Sequence, residues 1–224
     1  MKVSEYINYL VQGDASKLAI SNVGEMGINP SVTPTAIQLV NQGKFLNFVN
    51  LANLALHKRF GILEKTIELD LPIDGEEYAL PSDFLIPASA HYTSDLEEIS
   101  IKDKHVKMVS GVDTAVSILF PASFTAVIKG TDSEARDQII LTYIAAPCTC
   151  TTVSTDLLIS EIYTEALLQY ATYKAYGTIS GDIKDENNSY FLRYESSVKQ
   201  LVTSGMYGNN QIETNTKLVD NGFV

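Results

Sequence analysis

STDLLISEIYTEALLQYATYKAYG, Ser154 to Gly177, is the longest run of good helix formers in the chain that contains no Pro and no internal Gly. Leu158/Ile159, Ile162, Ala166, Tyr170, Tyr173 and Gly177 recur at three- and four-residue steps and share one helical face, while Glu161, Glu165 and Gln169 line another. Leu167, Leu168, Ala171 and Ala175 widen the apolar stripe, so the spacing predicts an amphipathic bundle helix packed on more than one side. Ser154, Thr155 or Asp156 would cap its start and Gly177 its end.

Two further helices are predicted as its partners. One runs from about Thr35 to Phe60, with Phe45, Phe48/Val49, Ala52 and Ala55/Leu56 at helical spacing, Gly43 in its middle and Gly61 as its stop. The other runs from about Asp185 to Ser204, with Tyr190/Phe191, Tyr194, Val198 and Leu201/Val202 as its stripe and Gly205 as its stop. Ser4 to Leu18 opens the chain with a weaker helical pattern through Tyr6, Ile7, Leu10 and Val11.

Between these helices the period falls from 3.6 to 2. Ile67, Leu69 and Leu71 alternate with Glu68 and Asp70, and Tyr78 and Leu80 alternate again after Asp74-Gly75, which predicts a β-hairpin. Further strands are expected in PASAHYT, LEEISI, VSILF, FTAVIKG and QIILTYIAA. The expected fold is therefore α+β: a bundle of long α-helices with an inserted small antiparallel β-domain and extended terminal arms. The expected boundaries are 1–62 for the N-terminal helices, 63–150 for the β-domain, 151–205 for the C-terminal helices and 206–224 for a C-terminal arm.

Charge narrows the function. Sixteen Lys and Arg against 27 Asp and Glu give a net charge of -11, which disfavours a broad phosphate-gripping face. The start of the chain lacks a basic-then-apolar signal and no run is apolar enough to span a membrane, so a soluble cytoplasmic product is expected. Cys148 and Cys150 are too close for an unstrained disulfide and lack the companions of a zinc site. His57, His91 and His105 share no ligand spacing. Asp83 reads as a turn or cap residue, and Glu97-Glu98, adjacent on a strand, would point to opposite faces. Asp185-Glu186 matches a helix dipole, and Lys102, Lys104 and Lys107 read as a solvated cluster. The chain has twelve tyrosines and no tryptophan; Tyr163, Tyr170, Tyr173, Tyr176, Tyr190 and Tyr194 fall on helical stripes, where core or interface packing is expected.

The segment YALPSDF at Tyr78 to Phe84, a strand ending at Tyr143 to Pro147 and the helix EALLQYATYKAY at Glu165 to Tyr176 stand in a distinctive order. That order, over Phe45 to Leu201, resembles the head-to-tail adaptor (connector ring) proteins of short-tailed bacteriophages, including ring proteins of crAss-like gut phages. The resemblance implies a structural, non-enzymatic virion protein of the tail or neck, assembled in the host cytoplasm, without cofactor or metal. It implies a cyclic, dodecameric homo-oligomer that meets the portal protein and other ring or tail proteins, with DNA passing through its channel without sequence-specific binding. Subunit contacts are then expected at Ala171, Ala175 and Tyr176 and at the apolar tail residues Leu218, Val219, Phe223 and Val224. From another class, a carbohydrate- or surface-binding β module on a helical bundle is the second reading. A wall hydrolase comes third, because no acid/base constellation stands out.

Overall fold

The computed structural model describes residues 1–13, 36–70, 77–102, 116–122, 124–129, 138–179 and 184–205. The chain divides into two compact units, Met1–Asn53 with Thr149–Val224, and Leu54–Cys148. Helices α1 (Val3–Gln12) and α2 (Ala36–Phe60) precede strands β1 (Glu64–Asp70), β2 (Glu77–Ala79), β3 (Phe84–Tyr92), β4 (Ser100–Lys102), β5 (Ser117–Ala122), β6 (Thr125–Lys129) and β7 (Gln138–Ala145), and helices α3 (Thr164–Ile179) and α4 (Lys184–Ser204) follow them.

The class is mixed α+β, but the expected bundle of long helices is not what forms. The four helices have 10, 25, 16 and 21 residues, and among the described residues α3 packs chiefly on α4 and to a lesser extent on α1. Ser154 to Gly177 is helical only from Thr164, after one 3-10 turn at Glu161–Tyr163. Its first residues are spent otherwise. The Val3 and Ser4 amides donate to the carbonyls of Thr155 and Val153, and the Leu157 amide donates to Met1, so the backbone of 153–157 is bound to the N-terminus before a helix can use it. Gly177 does not stop α3, which runs on to Ile179.

In the first unit, α1 buries Tyr6, Ile7, Leu10 and Val11, the predicted stripe, and Val3 besides. The Glu5 carboxylate accepts the Lys2 amide at 2.8 Å and so closes the helix start. The expected continuation to Leu18 lies outside the described residues. In α4, Tyr190, Tyr194 and Val198 are buried as their spacing predicts.

In the second unit, the predicted hairpin is replaced by two sheets, ordered β1-β7-β3 and β2-β6-β5-β4. β1 pairs antiparallel with β7, from Glu64↔Ile144 to Asp70↔Gln138, whereas β2 pairs with β6. The reason lies in β7, where Ile139, Leu141, Tyr143, Ile144 and Ala145 are all buried. A strand apolar on both faces belongs in the middle of a sheet, with β1 and β3 at its sides. Asp74-Gly75 lies outside the described residues. The sheets are not purely antiparallel either, since β4 runs parallel to β5. Leu69, Ala90, Tyr92, Ile139 and Leu141 of the first sheet share one apolar core with Ile118, Ala126 and Ile128 of the second and with Leu80, which directly follows β2.

Gly61 closes α2 as predicted. Its φ is +59°, its amide donates to the His57 carbonyl at 3.0 Å, and a Cβ there would stand 3.0 Å from Ile144 Cδ1. Gly61→Ala is expected to cost about 1–2 kcal/mol, because the left-handed conformation disfavours a side chain and Ile144 must give way. Gly43→Ala, with nothing near the added methyl, is expected to raise stability by up to about 1 kcal/mol. Urea unfolding of the two variants checks the opposite signs.

Candidate subunit interface

The seam between α3 and α4 is aromatic. Tyr176 stacks on Tyr190 with ring centroids 5.0 Å apart, Tyr170 meets Tyr194 edge-on at 4.9 Å, and Tyr173 meets Phe191 at 5.2 Å. The three-residue and four-residue spacing of these rings on each helix puts them in facing rows. Lys174 lies over Tyr170 and Tyr173, and Arg193 over Tyr190, so cations cover the outer ring faces. These tyrosines are engaged with one another and do not form an open platform for sugar stacking.

Tyr176 sits within this packing at 1% exposure, whereas Ala171 and Ala175, at 0% and 1%, are buried about 160° round α3 from the row of rings. Leu218, Val219, Phe223 and Val224 lie outside the described residues. Other apolar side chains of the same unit do face outward: Leu158 is 81% exposed, Leu192 67% and Val40 61%. Ile162, Phe191 and Val202 are partly exposed as well. The sequence signal for Leu192 was its place off the α4 stripe. Leu158 shows none, since a helical reading of 154–177 puts it on the buried face.

A second polar construction in this unit went unread in the sequence. The Asn50 side chain on α2 donates to the Cys150 carbonyl at 2.9 Å and accepts the Cys150 amide at 3.0 Å. One amide thus binds both backbone groups of a residue far along the chain and fixes the entry to the second helical half. The thiols of Cys148, exposed, and Cys150, buried, form no disulfide.

In the β unit, Asp83 of the YALPSDF segment ties three elements together. Its carboxylate takes the Lys65 ammonium of β1 at 2.5 Å and the Tyr143 hydroxyl of β7 at 3.1 Å, and its carbonyl accepts the Ala146 amide at 2.6 Å. Lys65 and Tyr143 are register partners, which places both side chains beside the loop that carries Asp83. Phe84, the next residue, stacks on Phe120 at 5.6 Å and meets Tyr143 at 5.2 Å. Asp83 therefore holds a strand corner, a wider role than the turn or cap predicted for it.

The Lys65 hydrogen bond holds the Asp83 carboxyl below its ordinary range, with the Tyr143 hydroxyl adding to it against the opposing effect of burial. Lys65 is raised by the same pair, and Tyr143 is raised by burial first and by Asp83 second. A depressed carboxyl contributes stability that is present above its unfolded pKa of about 3.9 and lost as pH falls through the folded value. Asp83→Asn is thus expected to lower stability at neutral pH, to match the parent in strong acid, and to flatten the acid limb between. Urea midpoints at stepped pH read this directly.

The remaining candidates do not converge. His57 is buried on α2 and His91 stands on β3, while His105, Lys104 and Lys107 lie outside the described residues. Glu97 and Glu98 are not on a strand: the Glu97 amide bonds to Asp95 Oδ1 in a turn that carries Leu96 at φ +61°. Among the described residues, no group of three or more His, Cys, Asp or Glu is placed to hold a metal, and no helix is long and apolar enough to cross a membrane.

The geometry is that of a scaffold with outward apolar side chains on its helical unit, and comparison with known proteins points the same way. The family model of the SU10 adaptor protein matches residues 25–214, reaching beyond Phe45 to Leu201 on both sides. No curated protein matches the chain. With most of its length inside that match, the chain belongs to the SU10 adaptor family, structural head-to-tail adaptor proteins of phage virions.

Proposed function

We propose that the chain assembles into a cyclic, dodecameric ring between the portal and the tail, extends the DNA channel and docks further ring or tail proteins. The observation that carries this reading is family membership over residues 25–214 together with apolar side chains left outward on the helical unit, Leu158, Leu192 and Val40 foremost. In this reading neighbouring subunits or other ring or tail proteins cover these side chains. A net charge of -11 suits a channel wall along which DNA slides without sticking. In this reading the subunit contacts draw on helix α3 around Ala171, Ala175 and Tyr176, and on the tail anchors Leu218, Val219, Phe223 and Val224.

Portal recognition is tested by adding the chain to purified portal rings and imaging them in negative stain. Added density on one face of the portal, coaxial with its channel, is the expected result. Portal rings that remain bare at micromolar chain would contradict the docking role.

A further inference from the structure

At the start of α3 and the end of α4 lies a cleft whose apolar lining comes from Ile162, Ala166 and Leu201 and whose polar lining comes from Glu165, Gln200 and Ser204. Ile162 is 40% exposed, so the cleft opens to solvent. It ends beside the point where α4 stops, at Ser204 and Gly205. Beyond that point the chain continues through residues 206–224, whose last part reads TKLVDNGFV. This segment places Lys217 directly before Leu218-Val219, with Asp220, Asn221 and Gly222 separating that pair from Phe223-Val224; Lys217 with Leu218-Val219 is complementary to Glu165 beside Ile162 and Leu201.

We propose that this cleft receives the C-terminal segment, Lys217 to Val224, of a second copy of the chain. Residues 206–217, if extended, span roughly 40 Å, enough to cross to a neighbouring subunit. The choice of a second copy rests on the ring reading. A closed ring needs two different, complementary patches on each subunit, and here the tail is one and the cleft the other. Leu218 and Val219 cover Ile162 and Leu201, and Lys217 pairs with Glu165, so an extended peptide is held by apolar anchors and one charge.

The test uses a chain lacking residues 206–224, the full-length chain carrying Ile162→Lys, and a labelled peptide of residues 214–224. Ile162 is partly exposed, so its replacement by Lys leaves the fold in place, which circular dichroism checks. The peptide is expected to bind the shortened chain saturably, and Ile162→Lys in that chain is expected to weaken it at least tenfold. Mixing the shortened chain, which keeps a cleft, with full-length Ile162→Lys, which keeps a tail, is expected to give mixed complexes that neither forms alone. Absence of peptide binding at about 1 mM, or binding indifferent to Ile162→Lys, would overturn the proposal. So would hydrogen-exchange protection of 162–166 by the chain's own tail under dilute, monomeric conditions. If both variants still close rings, the ring reading survives and the tail contact falls; if the peptide binds but the full-length chain never assembles, the reverse holds.

Discussion

Tyr176→Ala is expected to be the most damaging single change in the helical unit, lowering stability by about 3–5 kcal/mol. Tyr176 is 1% exposed and its ring stacks on Tyr190 at 5.0 Å, so removing it opens a cavity at the centre of the α3–α4 seam. Against a typical net stability of about 5–15 kcal/mol, such a loss removes a large share of the margin. Tyr176→Phe keeps the ring and is expected to stay within about 1.5 kcal/mol of the parent. Urea unfolding followed by far-ultraviolet circular dichroism separates the two variants. Equal losses in both would mean that the hydroxyl, not the stacked ring, holds the seam.

Leu141→Ala is the corresponding change in the β unit, with an expected loss of about 2–5 kcal/mol. Leu141 is fully buried on the central strand β7, opposite Ile67 of β1 and Ala90 of β3. Its side chain reaches the core that both sheets share, so the cavity is felt on two sheets at once. Leu141→Met conserves volume and is expected to cost less than about 1.5 kcal/mol. Hydrogen exchange assigns the loss: amides of β1, β3 and β7 should lose protection first, and a loss confined to α3 and α4 would contradict the division into two units.

How far the sequence could be read is clearest at particular residues. The stripes of α1 and α4 were legible because burial on one helix face leaves a 3.6-residue period, and Gly61 was legible because a left-handed stop wants glycine. The strands of β3 and β5 to β7 were legible for the same kind of reason. Strand partnership was not. Asp74-Gly75 between two alternating segments favours a local hairpin, yet β7 competes for β1 from far along the chain with a longer apolar surface. Period-2 alternation marks a strand without naming its neighbour.

The start of α3 misled for a related reason. Residues 154–163 carry good helix formers, but the carbonyls of Val153 and Thr155 and the amide of Leu157 are bound to Met1, Val3 and Ser4, a tertiary contact that overrides propensity. Leu158 therefore moved from a predicted core face to the surface, and the outward apolar set emerged only from the fold. Asp83 was noticed through its motif, while its partners Lys65 and Tyr143 are separated from it by 18 and 60 residues and share no local pattern with it.

Native mass spectrometry of the full-length chain tests the central claim, that this adaptor builds a closed ring, most directly. The account predicts a single cyclic species, dodecameric, that persists on dilution more strongly than one formed by the chain lacking residues 206–224. A monodisperse monomer that remains a monomer when portal protein is added would contradict it.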